Sequence, residues 1–182
     1  MTRLRDIDPT TVADATQDAL AGRLWRLAQL CGVTDPVAPS TTRSEAWLAV
    51  HQLAVYATTG TPPEHRLELV GEYCLSVSEI ATWLGEQTQL LDPATDLDVV
   101  LAGALAREEL DHGRPVSTAQ LAVLASLSRE HLSTLQSAGD APTGRRAEGV
   151  RGMPRRIDAE EARAWLAARG LRLAAPREKN RR

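Results

Sequence analysis

Residues Ser117 to Ser137, STAQLAVLASLSREHLSTLQS, restrict the folding options of this chain more than any other stretch. With Thr118 as position 1, Leu121, Ala122, Ala125, Leu127, Leu132 and Leu135 fall at positions 4, 5, 8, 10, 15 and 18. The first three line one face of a short helix and the last two line one face of a second. Ser117 and Gln120 form a capping box for the first helix, Thr118 to Ala125, and Ser128 caps the second. Ser126 and Leu127 leave room only for a tight turn, so the two apolar faces must meet. A turn of this kind often takes Gly at the position of Ser126, because the backbone there adopts positive φ.

The remaining sequence also reads as helix. Aromatic residues make up 3% of the chain and Phe is absent, so Leu, Ala and Val must build the core, with four Trp as large fillers. That supply favours helix. A first helix is expected from Pro9 to Cys31, with Asp8 as cap, Gly32 as terminator and an inward stripe of Leu20, Leu24, Leu27 and Cys31. GVTDPVAPST follows as a loop. Thr42 and Glu45 suggest a capping box for a second helix that buries Ala46, Val50, Leu53 and Ala57 and stops at Gly60. A third is expected from Thr61, boxed by Glu64, with Leu69, Val70, Tyr73, Cys74, Val77, Ile80 and Leu84 inward and a break possible at Ser76 or Ser78. A fourth runs from Asp96 to His112 with Thr95 as cap and Leu97, Leu101, Ala104 and Leu105 inward. Gly113 and Pro115 end it. It supplies the supporting helix that the opening pair needs, which puts a domain boundary near Leu90 to Thr95.

The first three helices carry no chemistry at the level of motif, and their Asp and Glu are scattered and read as a solvated face. Cys31 and Cys74 make no metal-type spacing with each other or with His51, His65, His112 and His131, and read as buried thiols. No nucleophile elbow, phosphate loop, HExxH or CxxC occurs, so no catalytic residue, metal or cofactor is expected. No apolar run reaches the roughly 18 residues of a membrane helix. The N-terminus MTRLRDIDPT carries no apolar signal segment, and a cytoplasmic protein is expected.

Charge is divided unevenly. Residues 1–112 hold 7 Lys/Arg against 17 Asp/Glu, and residues 113–182 hold 14 against 7, which gives −10 and +7 within a net charge of −3. The basic half is the candidate for polyanion contact. Within it APTGRRAEGVRGMPRRID carries three Gly and five Arg in 18 residues. It reads as a β-hairpin or loop in which Arg145, Arg146, Arg151, Arg155 and Arg156 meet phosphates. Asp158 and Glu161 then box a last helix that turns Ala162, Trp165 and Leu166 inward and ends at Gly170.

The opening pair has the spacing of a DNA-reading helix-turn-helix. Its second helix leaves Ser128, Arg129, Glu130, Ser133, Thr134 and Ser137 outward, where Arg suits guanine, Glu suits cytosine, and Ser or Thr suits bases or phosphates. Its capped N-terminus also offers backbone N–H groups to a phosphate. STAQLAVLASLSREHLSTLQSAG followed by RRIDAEEARAWL resembles the winged helix-turn-helix domains of the MerR and excisionase type, over residues 115–170. The resemblance implies a second helix in the major groove, with Arg129, Ser133 and Thr134 facing bases, and a wing against the backbone or minor groove.

The expected fold is mainly α. An acidic helical domain (1–92) for dimerisation or partner binding precedes a winged helix-turn-helix domain with a short β-hairpin wing (93–173) and a basic tail (174–182). The expected function is a sequence-specific, double-stranded-DNA-binding transcriptional regulator acting as a homodimer. The alternative is an antitoxin or mobile-element accessory protein that grips a protein partner through residues 1–92. An enzyme with a hidden site ranks last.

Overall fold

The structure, a computed structural model, describes residues 3–32, 43–85, 93–145 and 155–171. Among these the chain is mainly helical: α1 (Pro9–Leu30), α2 (Glu45–Thr59), α3 (Leu69–Gly85), α4 (Pro93–Asp111), α5 (Thr118–Leu124), α6 (Arg129–Ala138) and α7 (Ala159–Ala168). Strands β1 (Val116–Ser117) and β2 (Arg156–Ile157) pair antiparallel, Val116 opposite Ile157 and Ser117 opposite Arg156. None of the helices is long and apolar enough to cross a membrane.

Helix ends follow local chemistry. The Asp8 carboxylate accepts from the Thr11 N–H at 2.7 Å, Pro9 takes the first helical position, and Gly32 leaves α1 at φ +79°. Helix α2 begins later than the Thr42–Glu45 box implied. Ser44 caps it by accepting from the Trp47 N–H at 3.1 Å, and Thr42 lies outside the described residues. Gly60 ends α2 in the left-handed region, as expected. The third helix also starts later. Glu64 and His65 sit at φ +46° and +60°, which no α-helix can contain, so only a 3-10 turn (Pro63–His65) forms there, the Thr61–Glu64 box is absent and α3 opens at Leu69. It then runs unbroken, with the Ser76 hydroxyl donating back to the Glu72 carbonyl within the helix.

One helix serves as the axis. On one side α4 packs against α1, α2 and α3, and on another against α5 and α7. Leu97, Val100, Ala104, Ala106 and Leu110 are all buried, and Leu105, expected inward, is 44% exposed. A helix enclosed on several sides needs no single stripe, so a one-face reading misplaces part of it. Beside Ala57 of α2, Gly103 lets the Leu4 side chain approach to where a Cβ would meet it at 2.9 Å. Leu4 thereby seats a 3-10 turn, Leu4–Asp6, in the core.

Two assignments made from pattern alone are corrected. The stripe Leu20–Leu24–Leu27–Cys31 is not a buried face: Leu24 is 60% exposed, Leu27 48% and Leu30 84%. Only Val12, Ala13 and Thr16, in the first half of α1, are buried, and Cys31 is exposed. Cys74 does behave as a buried thiol, its pKa pushed up to about 12 by burial. Helix α4, outside the three helices read as carrying solvated acids, buries one of its carboxylates. Asp111 is 4% exposed and accepts the Tyr56 hydroxyl at 2.7 Å, while Arg163 of α7 reaches it at 3.3 Å. Burial, followed by the Asp111 charge, pushes the Tyr56 hydroxyl far up, so it remains a donor. Arg107 is 1% exposed. Its Nε and Nη2 donate to the Ala57 and Thr58 carbonyls at 2.7 and 3.0 Å, the last turn of α2, where a cation meets the negative helix end.

Candidate nucleic-acid interface

The α5–α6 pair is built as its caps imply. The Ser117 hydroxyl accepts from the Gln120 N–H at 3.2 Å, and the Gln120 carboxamide oxygen accepts from the Ser117 N–H at 2.8 Å. Ser126 occupies the left-handed region at φ +54° although it is not glycine, and is 8% exposed. Its hydroxyl is not idle: Oγ accepts from the Arg5 N–H at 3.1 Å, a bond to a residue 121 positions away. That bond offsets part of the backbone cost, about 1–2 kcal/mol for a non-glycine residue. Ser128 caps α6, accepting from the His131 N–H at 3.1 Å. Leu132 is fully buried and Leu135 partly, which fixes the rotation of α6.

That rotation puts Arg129, Glu130, Ser133, Thr134 and Ser137 in solvent, with Ser128 half-buried at the helix entrance. The Thr134 hydroxyl donates to the Glu130 carbonyl at 3.0 Å and the Ser137 hydroxyl to the Ser133 carbonyl at 2.9 Å. Both hydroxyls therefore face outward as acceptors. The backbone N–H of Glu130, and then the Ser128 hydroxyl, hold the Glu130 carboxyl below the usual carboxylate range. A carboxylate at the first turn of α6 competes with any phosphate for that helix end. His131, exposed on the same helix beside the residues named from spacing, was not singled out by the sequence pattern.

The two described ends of the arginine-rich stretch meet beside the α5 entrance. Arg145 and Arg156 exchange backbone hydrogen bonds of 2.8 and 3.0 Å, and Arg156 also pairs with Ser117, so three extended segments lie side by side in the order Ser117, Arg156, Arg145. Gly144 permits the approach, since a Cβ there would sit 2.9 Å from that of Arg155. Arg145, Arg155 and Arg156 are exposed. Arg156 is partly committed: its Nη1 donates to the Pro115 carbonyl at 3.3 Å and reaches the Gln120 side chain at 3.5 Å. Arg145 lies 3.7 Å from Glu161, an exposed pair of small energetic consequence. Arg146 and Arg151 lie outside the described residues.

Helix α7 holds this assembly against α4. Asp158 caps it, accepting from the Glu160 and Glu161 N–H groups at 2.9 and 3.2 Å. The reciprocal half of the expected box gives way to the Glu161–Arg145 contact. Ala162 and Leu166 are buried, and Trp165 lies half-buried with its indole N–H donating to the Asp140 carbonyl at 2.7 Å, just past the end of α6. Arg169 stacks over the Trp165 ring at 4.4 Å. Among the described residues no three His, Cys, Asp or Glu come together as a metal-binding group.

No protein-family model matches the chain, and no curated protein or solved structure matches it significantly.

Proposed function

We propose that the chain is a sequence-specific DNA-binding regulator that lays α6 in the major groove and sets its arginine-rich stretch against the phosphate backbone. The observation that carries this reading is the α5–turn–α6 unit. Its left-handed turn at Ser126 and buried Leu132 present one exposed polar face headed by Arg129. The pairing of Arg156 with both Ser117 and Arg145 adds support, because it gathers cations beside the start of α5 in the manner of a wing. Arg129 is the residue best suited to a bidentate guanine contact, for which about 1–3 kcal/mol of discrimination is expected. Ser133, Thr134 and Ser137 accept from bases or water, and Arg145, Arg146, Arg151, Arg155 and Arg156 neutralise phosphates.

A single unit of this size covers little DNA, so the reading includes a two-fold dimer on paired half-sites. Support comes from the second half of α1, where Leu24, Trp25, Leu27 and Leu30 are all exposed, an apolar concentration that soluble proteins seldom leave open without use. The same surface favours the second reading, an accessory protein or antitoxin holding a foreign protein there. The molar mass of the purified chain separates the two, since a dimer needs no other component.

The test is selection of bound sequences from a random duplex pool with the full chain, followed by titration of Arg129→Ala. A recovered motif whose preference collapses in the variant, while affinity for random duplex stays nearly constant, is the expected result. Equal loss on both duplexes would remove base reading by α6, and recovery of no motif would remove sequence-specific binding.

A further inference from the structure

We propose that the N-terminal segment Arg3–Asp6 is a second DNA contact, an arm pinned beside the reading helix that adds charge to the duplex backbone. The inference rests on the DNA-binding reading above and adds a surface the wing does not include. Sequence position assigns this segment to the acidic half of the chain, but the fold carries it elsewhere. Leu4 is 3% exposed, packed on Gly103 of α4 and Ala57 of α2, and Ile7 is 8% exposed, so two apolar anchors hold the 3-10 turn. The third anchor is the Arg5 N–H bond to the Ser126 hydroxyl at 3.1 Å, in the turn that aims α6.

Ser126 precedes the α6 cap, Ser128, by two residues, a path of at most about 7 Å. The Arg5 backbone is therefore fixed next to the end of α6 that enters the groove, where the phosphates of the groove wall pass. The core uses Leu4 and Ile7, and the residues flanking Leu4 are Arg3 and Arg5, both exposed. The Arg5 side chain is 64% exposed and its contact is Asp6 at 3.5 Å, itself 59% exposed. Such a surface pair is weak enough for a phosphate to displace. The Glu130 carboxylate already holds the first turn of α6, and Arg129 there is assigned to a base, so further cations strengthen a phosphate contact near that end. Two arginines on a pinned backbone supply them without the ordering cost of a loose tail.

The test measures binding of the full chain to its selected duplex and to a random duplex across a salt series. Arg5→Ala keeps the backbone N–H, so the melting temperature should not move. Arg3→Ala/Arg5→Ala should weaken both duplexes by the same factor and flatten log K against log salt by about 0.9 for each phosphate the protein no longer neutralises. Arg5→Lys should restore the slope where Arg5→Gln does not. Ser126→Gly suits the turn and removes the anchoring hydroxyl, and it should cost affinity although both arginines remain. An unchanged slope in the double variant would overturn the arm as a contact, and unchanged affinity in Ser126→Gly would overturn its anchoring by the turn. If the unmodified chain binds no duplex at low salt, the parent reading falls and takes this one with it, whereas strong binding with an unchanged slope removes the arm alone.

Discussion

Replacing Asp111 with alanine removes one side chain and strands another. The Tyr56 hydroxyl, on a fully buried side chain, donates to Asp111 at 2.7 Å, and alanine offers it no acceptor in return. Leaving a buried donor without a partner costs about 1–3 kcal/mol. Arg163 is deprived of its 3.3 Å ion pair but keeps the Leu110 carbonyl at 3.0 Å, and its side chain is 14% exposed. The roughly 3–5 kcal/mol for breaking a fully buried ion pair is therefore a ceiling. Together these give an expected destabilisation of about 3 kcal/mol, a large share of the roughly 5–15 kcal/mol typical of a whole domain. Urea unfolding followed by Trp fluorescence and circular dichroism reads it, since Trp25, Trp47 and Trp83 report on the first three helices and their flanks and Trp165 on α7. The midpoint should fall with an unchanged slope, and both probes should move together. Tyr56→Phe alone should cost about 1 kcal/mol, and the double variant less than the sum, because Asp111→Ala already contains the Tyr56 penalty. Strict additivity, or an Asp111→Ala effect within about 0.5 kcal/mol, the range of an ordinary surface change, would refute the bridge as a structural link between α2, α4 and α7.

Leu24→Glu/Leu27→Glu should convert a dimer to a monomer by light scattering with little change in melting temperature, because neither side chain is buried in the protomer; a dimer of unchanged mass would put self-association elsewhere. Neutralising Arg145, Arg155 and Arg156 to Gln together should flatten the salt dependence of DNA binding by about 0.9 per phosphate left without its cation, with Arg156 giving the smallest share through its Pro115 and Gln120 contacts, and an unaltered slope would remove the wing role. Burial, and then the Arg43 charge, lower the pKa of His51, which stacks on Trp47 at 4.6 Å, while Asp8 and Asp14 oppose the shift. Among the described residues its buried Nδ1 has no hydrogen-bond partner. The unfolded chain then takes up the proton first on acidification, so stability should decline as pH falls below about 6.5. His51→Gln should flatten that decline, and identical pH profiles would count against it.

Local signals were legible wherever their partners lie within one turn of helix. Asp8–Pro9, Gly32, Gly60, Ser117–Gln120, Ser128 and Asp158 mark helix ends correctly because a cap bonds to residues two or three positions away. The spacing through Leu121, Ala122 and Leu132 places the α5–α6 core for the same reason, and Ser126 takes the left-handed conformation the turn requires. The false starts at Thr42 and Thr61 show the limit of such signals, since a capping pattern competes with its neighbours. Ser44 serves α2, and the Glu64–His65 backbone excludes an α-helix there.

The sequence alone determined that the chain is helical, where most helices stop, and that the outward face of α6 is polar, with an arginine at its head. Those properties follow from caps and periodicity, which are written within a few residues. Only the tertiary structure decided that α4 is enclosed by helices from both halves, that Arg107 and Asp111 are buried because backbone carbonyls, Tyr56 and Arg163 receive them, and that the second half of α1 faces solvent. It alone brought Arg5 to the turn before α6. A stripe shows that a helix has an apolar side but not whether another element covers it, and a bond across 121 residues leaves no trace in local spacing.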